Sequence, residues 1–123
     1  MARLLLGIDV GASGVRAGVF DLEGELLGLG HSPCRVDSPR PGWAQCDPEV
    51  WWRGVVDSLR QACSEARMAP REIDAVGTGV PFPTVVALDA AGRALHPAIL
   101  YCDQRSLAQV HALARGSDGN CRH

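Results

Sequence analysis

The chain contains no lysine; all twelve of its basic residues are arginines. That absence removes two nucleotide-binding devices. A Walker A loop needs a Gly-Lys-Ser/Thr ending, and a protein-kinase glycine loop works with a partner lysine. There is also no C-x-x-C pair. The five cysteines, Cys34, Cys46, Cys63, Cys102 and Cys121, are scattered and odd in number, which argues against a metal site and against a disulfide framework. They read as free thiols of a reducing compartment, so the expected location is the cytoplasm. Charge of neither sign dominates: the net is −2, and neither nucleic acid nor an anionic membrane is expected as a partner. No apolar run is long enough to cross a bilayer. The run after Arg3 is cut by Gly7 and Asp9 and is too short for a secretory leader.

What is present fits one modest domain. At 123 residues, a chain buries about two-thirds of its unfolded surface on folding. Leu4–Val10 is nearly all apolar, as in a strand covered on both faces. Val15–Asp21 alternates, with Val15, Ala17 and Val19 on one face and Arg16, Gly18 and Phe20 on the other. Asp21–Glu25 is a turn, and Leu26–His31 a third strand. Asp47 followed by Pro48 opens a helix. Trp51, Trp52, Val55, Val56, Leu59, Ala62, Cys63 and Ala66 then form an apolar stripe that predicts its buried face, and Pro70 closes it. Ile73–Gly79 is a fourth strand. Thr84–Asp89 reads as a strand, Ala90–Arg93 as a turn, Pro97–Leu100 as a short strand and Arg105–Arg115 as a helix. The order βββαβ predicts an α/β fold with a mixed sheet. Residues 116–123 are polar and Gly-rich and are expected to form a disordered tail. The four histidines have no ligand-spaced partners and are assigned no chemistry.

The hairpin raises a question. "LLLGIDVGASGVRAGVFD" places one carboxylate, Asp9, at the end of an apolar strand, beside a loop of small residues and ahead of Arg16. Small residues let backbone N–H groups point at an anion. Ser13 adds a hydroxyl, Arg16 a permanent positive charge, and Asp9 a ligand for a divalent cation. Asp9 can equally cap the turn through an Asx bond, and Arg16 can be a solvated strand position. Spacing alone leaves both readings open. A Rossmann fingerprint is excluded, because a strand rather than a helix follows the glycines.

"LLGIDVGASGVRAGVFDLEGELL" resembles the first phosphate-binding hairpin of the FGGY carbohydrate kinases, within the actin/hexokinase/heat-shock ATPase superfamily. "PGWAQCDPEVWW" is similar to the family's Pro-Gly-Trp loop and first helix, "IDAVGTG" to its next core strand, and "TVVALDAAGRALHPAILYCDQRS" to the segment ending in W-x-D-x-R. The resemblance runs from Leu4 to about Leu113. It implies a ribonuclease-H-like, actin-like ATPase domain, incomplete, over residues 1–115. It implies ATP and Mg²⁺ as cofactors and a sugar or polyol as substrate. Asp9 would organise Mg²⁺; Gly11, Ala12, Ser13, Gly14 and Arg16 would hold the ATP phosphates. Pro81, Phe82, Asp103 and Arg105 would lie toward the sugar, and Trp43 is a loop residue that either packs or stacks on it.

Departures from the family pattern sharpen these expectations. Ala12 has no hydroxyl, which leaves a phosphate hydrogen bond to backbone or water. Tyr101 stands where Trp is usual. Pro81 falls about where a Gln is common, and proline offers neither an N–H nor an amide side chain. The family's general base, an aspartate farther along, and its second domain are not in this segment. No catalytic residue is therefore expected here, and the chain is expected to be inactive alone. It would be completed by the missing C-terminal part of a kinase. A degenerate remnant or a sugar- or nucleotide-binding module is the alternative.

Overall fold

A computed structural model describes residues 3–116. Three strands open the fold: β1 (Leu4–Val10), β2 (Gly14–Phe20) and β3 (Leu26–Pro33). A two-residue strand β4 (Gln45–Cys46) leads into helix α1 (Pro48–Glu65). A short 3₁₀ turn (Pro70–Glu72) precedes β5 (Ile73–Gly79); β6 (Ala98–Ile99) and α2 (Leu107–Gly116) follow. The main sheet has the order β3-β2-β1-β5. β1 and β2 pair antiparallel, as do β2 and β3, while β5 runs parallel to β1. β4 and β6 form a second, small antiparallel pair. The mixed α/β architecture is the one predicted.

The apolar alternation of β2 decides which face is covered. Val15, Ala17 and Val19 are fully buried and meet α1, which lies across β2 and β3. α1 begins where Asp47 accepts a hydrogen bond from the Glu49 N–H at 3.0 Å, with Pro48 in the first turn. It ends at Glu65, ahead of Pro70, where Arg67 takes a left-handed φ of 53° and the Met68 N–H donates to the Cys63 carbonyl.

The buried face of α1 keeps Ala62 and Cys63 of the predicted stripe but not its large residues. Gly54, Ser58, Ala62 and Cys63 are buried. Trp51, Val55, Val56 and Leu59 are only half-buried, and Trp52 is 64% exposed. The cause lies on β3. A Cβ on Gly30 would sit 1.8 Å from the Ser58 carbonyl oxygen, and one on Gly28 would sit 2.3 Å from that of Ala62. The helix backbone rests directly on these two glycines, and only small helix residues fit at the seam. The large apolar side chains are displaced to its flanks. Ser58 settles its buried hydroxyl by donating to the Val55 carbonyl. α1 also serves the outer edge of β3: the Leu29 N–H donates to the Glu65 carboxylate and the His31 N–H to Gln61.

The C-terminal third is less regular than expected. Thr84–Asp89 makes no strand, only isolated bridges from Val85 to Ile99 and Leu88 to Ala94. The predicted turn after it is present, with the Asp89 carboxylate accepting from the Ala91 and Arg93 N–H groups. Gly116, expected in the tail, ends α2; residues 117–123 lie outside the described residues. Among the described residues no helix is long and apolar enough to cross a membrane.

Candidate functional site

The β1–β2 register brings Asp9 directly opposite Arg16, on one face of the sheet. Their charged groups stand 3.7 Å apart with both side chains more than half exposed. A pair this open contributes little to stability and leaves both groups available. The parallel register places Gly79, the last residue of β5, on the other side of Asp9. Asp9 and Arg16 thus head a cleft whose walls include Thr78, Gly79 and Phe20. Among the described residues the Asp9 carboxylate accepts no backbone hydrogen bond. The turn is instead closed by the Gly11 N–H donating to the Gly14 carbonyl at 2.8 Å. The Asx-cap reading of Asp9 is therefore not what the fold uses.

The loop between the strands has two causes for its small residues. Gly14 is demanded by packing, since a Cβ there would lie 2.7 Å from the His31 ring and 2.9 Å from the Ser32 carbonyl. The Ser13 carbonyl accepts the Cys34 N–H at 3.0 Å, which ties the loop to the end of β3. Ala12 packs toward the cluster of Ala44, Cys46 and Leu100. The N–H groups of Ala12 and Ser13 meet no acceptor among the described residues. Two open amides, a hydroxyl, a carboxylate and a guanidinium are a donor set suited to a phosphate with its divalent cation. No group of three or more His, Cys, Asp or Glu side chains that could hold a metal occurs among the described residues. A cation here would take Asp9 and complete its shell with water and ligand oxygens.

Asp103 and Arg105 form a separate cluster. The Asp103 side chain is 2% exposed and accepts from the Ala44 N–H at 2.6 Å, the Arg105 N–H at 2.8 Å, and Arg105 Nε and Nη2 at 2.9 and 2.8 Å. Hydrogen bonds and charge from Arg105 hold its carboxyl well below the ordinary value of 3.8. Arg105 also donates to Gln45 and stacks its guanidinium 3.8 Å from the centre of the Trp43 ring. Arg40 lies 5.0 Å from the same ring. The Gln104 N–H donates to the Gly42 carbonyl and the Leu100 N–H to that of Ala44. These contacts staple residues 42–45 to residues 100–105. Trp43 is packed by arginine, one of the two roles open to it.

Pro81 and Phe82 follow β5 at the sheet end where Asp9 lies. Pro81 is half-buried and Phe82 is 87% exposed, and neither lines the cleft below Asp9. The structure thus brings together Asp9, Gly11–Gly14 and Arg16, and pairs Asp103 with Arg105 beside Ala44, on whose cluster Ala12 also packs. Sequence reasoning missed Thr78 and Gly79 beside Asp9, whose signal was the Gly-Thr-Gly end of an otherwise apolar strand, and Gln45 in the arginine cluster. Cys46 is deeply buried, and burial pushes its thiol up to about 11. It is a packing residue, not a nucleophile.

Residues 4–122 match the family described as "FGGY family of carbohydrate kinases, N-terminal domain". A glycerol kinase of Thermococcus onnurineus is 32% identical over 115 residues, which are 94% of this chain and 23% of that enzyme. Among solved structures, a xylulose kinase from Rhodospirillum rubrum superposes with a TM-score of 0.84 at 28% identity, over 94% of this chain and 24% of the other. A Plasmodium falciparum glycerol kinase solved with ADP gives 0.85 at 18% identity, a likeness of fold. The chain spans about a quarter of the length of the relatives it matches. Its hairpin, its sheet order and this match together place the chain in the FGGY family of carbohydrate kinases, as a portion of the N-terminal domain.

Proposed function

We propose that this chain is the phosphate-gripping N-terminal portion of an ATP-dependent kinase acting on a hydroxyl of a sugar or polyol. One observation carries the reading: the Asp9–Arg16 pair stands exposed at the head of a cleft, next to a loop with open amides. Relatives named as glycerol and xylulose kinases support the substrate class, and one neighbour solved with ADP supports the nucleotide. Asp9 would hold Mg²⁺ through its carboxylate and bound water. The Ala12 and Ser13 amides, the Ser13 hydroxyl and Arg16 would hold phosphate oxygens. Bound there, the cation would neutralise charge on the transferring group, and catalysis of this kind is mostly positioning and charge stabilisation.

Of the two carboxylates placed at the candidate site, neither is left to take the proton of an attacking hydroxyl. Asp9 faces Arg16, and Asp103 is enclosed by its donors. General-base help is worth roughly 10²–10⁴-fold in rate. The 123-residue chain alone should therefore release no ADP from ATP above background with any sugar or polyol. Replacing the matching segment of the R. rubrum xylulose kinase with residues 3–116 of this chain should give an enzyme that phosphorylates xylulose. Asp9→Asn in that chimera should lower kcat by about 10²-fold or more, the scale for losing one preorganised electrostatic contact. An Asp9→Asn chimera as active as its parent would remove Asp9 from the phosphate grip.

A further inference from the structure

None of the four histidines has a ligand-spaced neighbour in the sequence, and His31 acquires its neighbours only through strand pairing. Arg16 on β2 lies opposite Asp9 on β1 and opposite His31 on β3. Directly opposed residues share a face, so a carboxylate, a guanidinium and an imidazole form one row across three strands. It is the face turned away from α1. Along β3, Gly28 and Gly30 meet the helix, while Leu29 and His31 alternate with them and are exposed. The imidazole does not stay at the level of Arg16. Its Nε2 is 2.7 Å from where a Cβ on Gly14 would be, so the ring leans two residues toward the hairpin loop and lies over Gly14. The backbone beneath it is fixed, with the His31 N–H donating to Gln61 at 3.1 Å. Among the described residues neither ring nitrogen has a hydrogen-bond partner. Farther along, the Cys34 N–H donates to the Ser13 carbonyl at 3.0 Å, which ties the end of β3 to the same loop.

We infer that His31 is a further phosphate-binding residue of the nucleotide site, donating from Nε2 to a phosphate oxygen beside the Gly11–Gly14 loop. The inference rests on the proposed function and adds a residue to it. The loop is short of side-chain donors: Ser13 carries its one hydroxyl and Ala12 carries none. Arg16 leans the other way, its Nη1 3.7 Å from the Asp9 carboxylate, so His31 is the donor on the β3 side of the row. The ends of the row are about 10 Å apart, two strand spacings. That span fits a polyphosphate whose cation sits at Asp9 better than it fits a single phosphate. An imidazole carries at least one N–H in either charge state, and with both nitrogens uncommitted the proton is free to sit on Nε2. Packing over Gly14 accounts for a ring at this position, but an apolar ring would fill the space as well. The imidazole places a nitrogen at the point nearest the loop.

The test uses magnesium tripolyphosphate, the phosphate part of the nucleotide, titrated into the isotope-labelled 123-residue chain and followed by nuclear magnetic resonance. The Ser13 amide and the His31 ring nitrogen should shift together, with one midpoint. His31→Ala should weaken binding about tenfold, the scale for one hydrogen bond to a charged group. It should melt within a few degrees of the wild type, because the side chain is exposed. His31→Gln keeps an N–H at similar reach and should recover most of the affinity. In the xylulose kinase chimera, His31→Ala should raise KM for ATP about tenfold and leave kcat and KM for xylulose unchanged, the mark of a contact made equally in ground and transition states. The inference is overturned if His31→Ala binds tripolyphosphate as well as the wild type. It is equally overturned if His31→Gln binds as poorly as His31→Ala, which would leave the ring a packing residue. A response at the Ser13 amide without one at the His31 ring removes His31 and leaves the phosphate grip standing. If neither responds, the grip itself fails and His31 with it.

Discussion

Gly30→Ala is expected to cost the isolated chain at least about 3 kcal/mol, more than truncating any large side chain on α1. The methyl group would fall 1.8 Å from the Ser58 carbonyl oxygen, and that oxygen belongs to helix backbone, which cannot rotate away. Ordinary overpacking costs roughly 1–3 kcal/mol. Here α1 must lift off β3 along its length. The chain-stiffening benefit of alanine over glycine, roughly 0.4–1 kcal/mol, is too small to compensate. The matched control is Trp52→Ala. Because that ring is 64% exposed, its loss should change stability by less than about 1 kcal/mol. Urea unfolding of both variants decides the matter. If Trp52→Ala proved the more damaging, the helix would sit on its large residues and the seam described here would be wrong.

Asp103→Ala is expected to give the second large loss, a drop of several degrees in Tm. The carboxylate is the common acceptor for Ala44 and Arg105. Removing it strands the Arg105 guanidinium, whose side chain is 21% exposed, and frees the loop that carries Trp43. The pH dependence follows from the direction of the shift. The folded-state carboxyl titrates well below its ordinary value of 3.8. Its contribution is complete above that value and disappears as pH falls toward the folded one. Wild-type stability should therefore decline with acid between about pH 5 and 2, and Asp103→Asn should decline less steeply over the same range. Equal acid limbs in the two proteins would show that Asp103 is not the group responsible.

Much of this was readable from the residues, for local reasons. β1 and β5 are apolar runs bounded by clear turns, and the structure keeps the predicted limits of both. Asp47 and Pro48 mark the start of α1 because capping is decided within one turn. The Asp9–Arg16 pairing followed from a short loop between two strands, which fixes register. The buried face of α1 was misread because helical periodicity weighs large apolar residues, while the packing distance is set by another element. Its signal was present in "LLGLGH", where two glycines at alternate strand positions mark close approach of a backbone. Thr84–Asp89 has strand-like composition, but it finds only scattered partners, at Ile99 and Ala94. Asp103 and Arg105 stood out only through the family resemblance, and their cluster did not. Its attachment to Trp43, Ala44 and Gln45 joins positions some sixty residues apart, which no local pattern encodes.

The parallel pairing of β1 with β5 also sets an order of events. β1 leaves the ribosome first, and β2, β3 and α1 can assemble on it from neighbouring sequence, beginning at the Val10–Val15 end of the hairpin. Its other side waits for a partner whose first contact, the Leu4 N–H to the Asp74 carboxylate, lies seventy residues away. Closing a loop of that size is slow. β5 should therefore be the last strand to join the main sheet during synthesis and, with one bare edge, the first to leave it in the finished molecule. Amides of β5 should exchange with solvent ahead of those of β2. The strand that completes one flank of the Asp9 cleft is then the last part of the main sheet to become permanent.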